Sequence, residues 1–281
     1  MVNVPVSVCI ITYNEEANLP RCVASVDFAD EIVVVDSCST DRTVALAAAA
    51  GCRVIEQPFL GYAAQKNVAV QAAAHQWVLC LDADEWLLPG AGTVIREALA
   101  ARRPEVAGYA LNRHTYYLGD WVNHGGWWPE YRLRLYDRQR GEWVDDGLHE
   151  HVALNGAVAR LEVEVGHLSY RDITHHLSKV NTYTSIRAEH WQARHRASVG
   201  WLELIGRPLG RFCRMFILKG GWREGYRGLI IASIGAFYVF AKYAKLWELQ
   251  HSCGPGQVEV GVEVNGKGSG ARAKNGSAMM K

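Results

Sequence analysis

The sequence lacks any cysteine arrangement that would support a disulfide framework or a metal site. Its 281 residues contain seven cysteines, an odd number, and they form neither a Cys-x-x-Cys pair nor another metal-ligand spacing. Several lie in apolar runs, where a free thiol behaves as a small hydrophobe. This dispersed set is typical of a reducing compartment.

The chain also has little net charge, no signal-peptide pattern in its first residues and no very long apolar run. A net charge of +1 provides no field that would attract nucleic acid. The N-terminus has no basic segment followed by an apolar one, so no signal peptide is predicted. The apolar run at 228–241 is shorter than the roughly 18–20 residues that a spanning helix needs. We therefore expect a protein of the cytoplasm or of the cytoplasmic face of a membrane.

Two nucleotide-binding signatures are missing as well. No Gly-x-Gly-x-x-Gly follows the first apolar segment, and Gly-x-x-x-x-Gly-Lys-Ser/Thr occurs nowhere. Dinucleotide oxidoreductases and P-loop NTPases thereby lose their main support. What the chain does have is a hydrophobic share of 49%, enough for the core of one large or two small domains.

The most informative stretch lies at 77–86. An apolar segment typical of a buried strand ends in three carboxylates, those of Asp82, Asp84 and Glu85. Carboxylates this close repel one another, so a cation should lie among them. Mg²⁺ takes one or two carboxylates together with substrate phosphates. The alternative is a solvated acidic turn or a helix that begins at Pro89.

Around this stretch, strand-like and helix-like segments alternate four times. Strands are predicted at 4–12, at 31–36, at 52–56 and from 77, with helices at 15–26, 41–50 and 65–74. Asn14 is predicted to cap the first helix, and Ser39 or Thr40 the second. The alternation indicates a parallel sheet wrapped by helices. Polar residues follow three of the strands, which predicts a ligand site at one edge of the sheet.

Three segments carry a resemblance to a known family. They are ITYNE at 11–15, EIVVVDSCSTDRT at 31–43 and DADE at 82–85. Their order and spacing resemble the family 2 glycosyltransferases of GT-A fold, strongly over the first hundred residues and on to about residue 170. The relatives that the chain most resembles make the lipopolysaccharide core. The resemblance implies an α/β fold, a GT-A (Rossmann-like) mixed sheet, and a hexosyltransferase.

The resemblance also assigns residues to the nucleotide sugar and its metal. The residues that would hold uridine or a related nucleoside are Thr12, Asn14, Glu15, Asp36 and Ser39. Lys66 lies where a basic residue often faces the nucleotide. Asp82 and Asp84 match the Asp-x-Asp pair whose second acid holds Mg²⁺ or Mn²⁺ on the diphosphate. Taken singly, Asn14 and Ser39 are equally interpreted as helix caps, Asp36 as a turn former and Lys66 as a solvated helix charge.

Beyond residue 108 the alternation changes. An antiparallel strand is predicted at 132–136. Before it, two glycines stand among aromatic residues at 121–130. Flat aromatic faces suit the apolar faces of pyranoses, so Trp127 and Trp128 are predicted to contact the acceptor or the sugar. An aromatic turn that closes the sheet is the alternative.

A second acidic cluster supplies the other half of the chemistry. It contains Asp145, Asp146 and Glu150, with His149 beside them. Inverting transfer needs a general base on the acceptor hydroxyl, and this base must come from a different loop than the metal ligands. His149-Glu150 resembles the His-Glu that follows the acceptor loop in relatives that make lipopolysaccharide core. We expect Glu150 to be the base, with Asp145 and Asp146 as reserves, and His149 to contact phosphate or metal. For Asp146 and the glycine after it, a plain turn is the alternative.

The C-terminal third is predicted to be helical and to face a membrane. A helix is predicted at 172–198, and basic and aromatic residues surround the apolar run at 228–241. This pattern fits a segment that lies in the leaflet surface. A buried core helix or a dimer interface is the alternative. The Gly-, Ser- and Lys-rich tail at 254–281 is predicted to be disordered.

These patterns together predict a catalytic domain at 1–170, a membrane-associated helical region at 171–250 and a tail at 251–281. The expected function is metal-dependent, inverting transfer of a hexose from a UDP-sugar to a lipid-linked saccharide. Lipopolysaccharide inner core is the first choice and a polyprenyl-linked glycan the second. The protein would sit peripherally on the cytoplasmic face of the inner membrane. A nucleotidyltransferase is disfavoured because the loop after the first strand is acidic. A non-catalytic nucleotide-sugar sensor would not need the second acidic cluster.

Overall fold

A computed structural model describes residues 4–145, 150–194 and 198–251. Its first half contains the predicted alternation of strands and helices. The strands are β1 (Val6–Thr12), β2 (Glu31–Asp36), β3 (Arg53–Glu56) and β4 (Trp77–Asp82), and the helices are α1 (Leu19–Ala24), α2 (Thr43–Ala49) and α3 (Tyr62–Ala72). The four strands pair in parallel in the order β3-β2-β1-β4. The predicted parallel sheet is therefore confirmed.

The central strands are buried on both faces. On β1, Val8 and Ile10 pack into one hydrophobic cluster, and Cys9 between them packs into the other. The side chains of β4 are distributed between the two clusters in the same way, with Leu79 in the first and Cys80 in the second. Strands covered on both faces consist of continuous apolar residues rather than alternating ones. This explains why these segments were recognisable from hydrophobicity alone.

The second half of the sheet is mixed. The remaining elements before the C-terminal helices are β5 (Glu85–Leu87), α4 (Ala91–Ala100), β6 (Val106–Tyr117), β7 (Asp120–Trp121), β8 (Glu130–Asp137), β9 (Gly141–Asp145), β10 (Glu150–Leu154) and β11 (Ala157–His167). β8 lies antiparallel between β4 and β6, which confirms the predicted strand at 132–136. β11 continues the sheet parallel to β6, and β5 pairs antiparallel to β11. β9 and β10 form a separate antiparallel ladder.

Both predicted helix caps are wrong. α1 begins at Leu19 rather than near residue 15, and Asn14 has a positive φ of 51° that takes it out of the helical path. Its side-chain oxygen instead accepts a hydrogen bond from the backbone of Thr40 (2.8 Å). At α2, Asp41 accepts from the Thr43 N–H at 2.9 Å, while Ser39 is turned toward Asp36. Contacts between neighbouring loops have outcompeted local capping.

The C-terminal region is helical, as predicted. It consists of α5 (Ile173–Ala193), a π-helical turn (Leu202–Gly206), α6 (Arg207–Cys213), a second π-helical turn (Arg214–Leu218), a 3₁₀ turn (Gly221–Glu224) and α7 (Gly225–His251). Asp172 caps α5 by accepting from His175 N–H at 2.7 Å. Tyr117 and Val122 of the sheet share a core cluster with Met215 and Ile231 of these helices. The helical region therefore packs directly on the sheet.

The apolar run at 228–241 forms the middle of α7, and this helix is longer than the run suggested. Ile231, Ala232 and Ile234 are buried against the neighbouring helices. By length and composition the helical stretch Gly221–His251 is sufficient to cross a membrane, and 33% of its most apolar window is buried inside the protein. Its placement in a leaflet surface stays a prediction. The tail at 254–281 lies outside the described residues.

An aromatic cluster with a histidine joins α5 to the sheet. His176 is buried and stacks on Tyr170, with ring centroids 3.7 Å apart, and its Nδ1 lies 3.0 Å from the Tyr117 hydroxyl. Burial, helped by the positive charges nearby, lowers the pKa of His176 from 6.5 to about 4. The folded protein therefore holds this ring neutral at a pH where the unfolded chain would protonate it.

This histidine predicts a loss of stability in mild acid. Because the folded pKa lies below the unfolded value, stability is complete above pH 6.5 and falls as the pH drops toward 4. Between pH 7 and pH 4.5 the titration of His176 should lower the free energy of unfolding by about 2 kcal/mol. Urea unfolding of Tyr117→Phe/His176→Phe should show a correspondingly smaller pH dependence, and His151→Gln should match the wild type. Equal pH dependence in all three proteins would contradict this account.

Candidate active site

Three polar segments meet at the carboxyl edge of the parallel strands. Thr12 pairs in register with Asp36 at the ends of β1 and β2, and Ile11 pairs with Asp82 at the end of β4. The order of the strands thus places the three predicted segments side by side. The sequence could not show the distances, but it identified the correct edge.

The first two segments are tied together by hydrogen bonds. Asp36 is fully buried and accepts from the Ser39 N–H (2.7 Å) and hydroxyl (2.6 Å). The Ser39 oxygen accepts in turn from the Asn14 N–H at 2.8 Å. Thr12 is buried, and its hydroxyl has no hydrogen-bond partner among the described residues. The arrangement is a rigid pair of loops with one free hydroxyl beside it.

Glu15 of the first loop interacts electrostatically with the segment that contains Asp82, Asp84 and Glu85, which we call the acidic bend. Burial raises the pKa of Glu15, and the negative charge of Asp84 raises it further, although a hydrogen bond from Asn18 opposes the change. The two carboxylates are thus close enough to repel one another. A site that binds a cation or a proton between such groups relieves this repulsion.

The three acids of the bend have different surroundings. Glu85 is fully buried, accepts from the Asp82 N–H at 3.1 Å and is paired with Arg134. Asp82 lies 3.0 Å from Lys66 and 3.3 Å from Arg134. Burial alone would raise the pKa of Asp82, but these two cations reverse the effect and hold it well below its usual range. Glu85 is therefore a structural residue, and Asp82 is a permanent anion already paired with cations.

Asp84 is the acid of the bend that remains for a metal. Its carboxylate lies 3.5 Å from His167 Nε2, and its backbone carbonyl accepts from Leu168 N–H at 3.0 Å. Among the described residues, no group of three His, Cys, Asp or Glu side chains is placed to hold a metal ion. A carboxylate oxygen with one imidazole nitrogen nearby fits an ion that takes its other ligands from substrate phosphates and water.

Lys66 brings the two acidic clusters together. It is only 4% exposed, so the interpretation as a solvated helix charge is wrong. Its ammonium lies 3.0 Å from Asp82 and 3.4 Å from Glu150, over the ring of Trp143 at 4.4 Å from the centroid. The carboxylates at the end of β4 and at the start of β10 therefore share one cation.

The second acidic cluster is described in part. Glu150 is about one-third exposed and pairs in register with Asp145, which ends β9 at the surface. Asp146 and His149 lie outside the described residues. Glu150 makes an ion pair with Lys66, which in turn contacts Asp82.

The two neighbouring tryptophans diverge. Trp127 stacks on Tyr117, with centroids 6.1 Å apart. Trp128 packs 5.5 Å from His114 and donates from its indole N–H to Glu164 at 3.3 Å. Positions 114 and 117 point to opposite faces of β6 because side chains alternate along a strand. The loop therefore places Trp127 and Trp128 on different sides of the sheet rather than in one sugar-binding wall.

Arg134 went unrecognised in the sequence, and His167 is interpreted there as an ordinary polar position, with lining of the site as the alternative. Arg134 is buried on β8, which pairs with β4, and it contacts Asp82 and Glu85. His167 ends β11 and pairs in register with Glu85. An arginine flanked by apolar residues in a predicted strand was the available signal, since a buried cation needs a partner. The position of His167 depends on long-range strand pairing and had no local signal.

Known proteins resemble this chain in sequence and in fold. The family model described as glycosyl transferase family 2 matches residues 7–157. The lipopolysaccharide core biosynthesis glycosyltransferase LpsC of Rhizobium meliloti is 33% identical over 256 residues, covering 87% of this chain and 92% of that protein. An uncharacterized glycosyltransferase of Rickettsia typhi is 30% identical over 255 residues, 87% of each chain. A solved structure, the mannosyltransferase PcManGT from Pyrobaculum calidifontis with GDP-Man and Mn²⁺, matches at a TM-score of 0.52 over 88% of each chain, with 15% identity.

Proposed function

Because this chain belongs to glycosyl transferase family 2, we propose that it transfers a hexose from a UDP-sugar to a lipid-linked saccharide with inversion. It is a glycosyltransferase of GT-A-like fold and a relative of LpsC, which is named for lipopolysaccharide core biosynthesis. Lipopolysaccharide inner core is the acceptor that we propose first. The observation that best supports this proposal is the position of the Lys66 ammonium. It contacts both Asp82, which we assign to the donor side of the site, and Glu150, which we assign to the acceptor side.

The donor nucleoside is proposed to lie over the loops after β1 and β2. Asp36 accepts two hydrogen bonds from Ser39, and the Asn14 N–H of the other loop donates to the Ser39 oxygen, so the two loops have one fixed conformation. The free hydroxyl of Thr12 and the carboxylate of Glu15 are the polar groups offered at this edge. Loops that are ordered before binding cost less entropy when the ligand arrives.

The diphosphate is proposed to lie at the acidic bend. Asp84, with His167 beside it, would hold Mg²⁺ or Mn²⁺, and this cation would stabilise the negative charge of the leaving diphosphate. Asp82 is engaged by Lys66 and Arg134, so its role is to fix these cations near the phosphates. Cations positioned before the reaction stabilise developing charge without reorganisation.

The acceptor hydroxyl is proposed to be deprotonated by Glu150. As the acceptor oxygen forms its bond to the anomeric carbon, the bond from that carbon to the diphosphate oxygen breaks. The proton of the hydroxyl passes to a carboxylate oxygen of Glu150. Attack from the side opposite the diphosphate inverts the anomeric configuration. Lys66 holds Glu150 at this point through the 3.4 Å contact.

A thermal-shift screen tests the donor and metal assignments together. UDP-sugars should raise the melting temperature, and Mn²⁺ or Mg²⁺ should increase this rise, because ligands that bind only the native state stabilise it. Asp84→Asn should lose the cation-dependent part and keep the cation-free part. Glu97→Gln, an exposed change on α4, should behave as wild type. A full cation effect in Asp84→Asn would reject the metal assignment.

A further inference from the structure

The C-terminal region carries an amphipathic helix that is packed on one side only. The two π-helical turns and α6 form one continuous helix at 202–218, which we call the outer helix. Its inner side contacts α7 and the sheet through the buried Met215, and Pro208 is buried as well. The opposite side faces outward.

The outward side is apolar. Leu202, Ile205, Leu209 and Ile217 are 64%, 48%, 59% and 57% exposed. Their spacing places them along one side of the helix. Further exposed apolar side chains follow directly on the chain: Leu218, Trp222, Tyr226 and Leu229. So many exposed apolar side chains within one segment mark an interaction surface.

Basic residues border this apolar row. Arg207, Arg211 and Arg214 are exposed and follow one another at spacings of four and three, so they line one edge of the outer helix. Lys219 and Arg223 continue the positive charge. The acids of residues 199–227 are Glu203 and Glu224, and each is paired with an arginine. Glu203 compensates Arg207 of this border, and Arg211, Arg214, Lys219 and Arg223 leave it with a net positive charge.

We propose that this surface docks on an anionic membrane, with the outer helix lying in the plane of the leaflet. The apolar row would enter the boundary between headgroups and acyl chains, while the arginines reach the lipid phosphates. Trp222 and Tyr226 are the residue types that favour the interface. This inference deepens the proposed function, since a lipid-linked acceptor is presented at such a surface.

The docking surface is tied to the loop at 123–128, which precedes β8. The Gly125 N–H donates to the carbonyl of Lys219 at 2.9 Å. The Asn123 N–H donates to Glu224 at 3.0 Å, and His124 Nδ1 lies 2.7 Å from the same carboxylate. This loop leads into Trp127. A membrane contacted by the outer helix would therefore lie close to the loop at 123–128.

The charge distribution favours a membrane over a second copy of the chain. A two-fold interface brings the same patch of both subunits together. The arginine borders of two outer helices would then face one another, and like charges across an interface are unfavourable. Anionic headgroups instead complement this border.

Vesicle co-sedimentation of the full chain tests the proposal. The wild type should bind phosphatidylcholine vesicles containing 30% phosphatidylglycerol, with weaker binding at high salt. Arg211→Gln/Arg214→Gln should lose about tenfold or more in partition coefficient, and Arg103→Gln/Arg160→Gln should not. Leu202→Ser/Ile205→Ser/Leu209→Ser should lose binding, and Val158→Ser, an exposed change on β11, should keep it. Unchanged binding in both outer-helix variants overturns the proposal.

Three further measurements separate this proposal from its alternatives. Nucleotide-sugar thermal shifts should be the same in the outer-helix variants and the wild type, so a failure of the proposed donor site would appear there and not in the vesicle assay. Light scattering without vesicles should give a monomer, and a dimer that the triple serine variant dissolves would assign the surface to a second copy. Retention in native membranes after an alkaline carbonate wash would assign the membrane contact to a spanning helix.

Discussion

Glu150→Gln is expected to abolish sugar transfer while nucleotide-sugar binding survives. The amide keeps the shape of the side chain but cannot accept the proton of the acceptor hydroxyl. Removing a positioned general base costs roughly 10²- to 10⁴-fold in rate. Turnover with a saccharide acceptor and the donor-induced thermal shift, measured on the same preparation, would show a loss of the first and retention of the second.

The control for this variant lies on the same hairpin. Glu142→Gln makes the same chemical change on β9, at an exposed position, and should leave turnover unchanged. Asp145→Asn tests the residue that pairs in register with Glu150. If Glu150→Gln turned over normally and Asp145→Asn did not, the base would be Asp145 and our assignment would be wrong.

Arg134→Met is expected to destabilise the fold by about 3–5 kcal/mol, because it leaves a buried carboxylate without its partner. Glu85 is fully buried and paired with Arg134, and the next guanidinium, that of Arg113, is 3.9 Å away. Asp82 loses one of its two cations in the same variant. Urea unfolding at pH 7 measures the change.

Arg132→Met is the matched control for Arg134→Met. Arg132 lies two residues earlier on β8, is exposed and pairs with Glu130, so its loss should cost at most about 1 kcal/mol. Arg134→Met/Glu85→Gln removes both members of the buried pair and should recover part of the lost stability. Equal stabilities of Arg132→Met and Arg134→Met would contradict the structural role of this ion pair.

Much of the fold could be predicted from the sequence because the central strands are buried on both faces. Their continuous apolar residues identified β1, β2 and β4, and the short motifs after them identified the family, which is confirmed. The caps at Asn14 and Ser39 were wrong because the Asn14 side chain accepts from Thr40 and the Ser39 side chain accepts from the Asn14 N–H, so both bond to the neighbouring loop. Local pattern carries no information about contacts between residues far apart in the chain.

The same limit explains what was missed in the site. Lys66 looked like a surface charge because α3 has little amphipathic pattern, yet the β9–β10 hairpin covers it through Trp143 and Glu150. Arg134 and His167 depend on strands that enter the sheet out of chain order. Trp127 and Trp128 diverge because the loop sends consecutive residues to opposite sides of β6. The sequence shows which residue types are present, but it does not show the direction in which each side chain points.

We expect the ammonium of Lys66, which contacts both Asp82 and Glu150, to couple the proposed donor and acceptor sites thermodynamically. A donor diphosphate that attracts this charge and an acceptor that engages Glu150 compete for the same group, and coupling between two ligands is reciprocal. Affinity for one substrate then depends on occupancy by the other. Among homologues, the preferences for donor and acceptor should therefore change together, because a substitution that moves the Lys66 charge alters both.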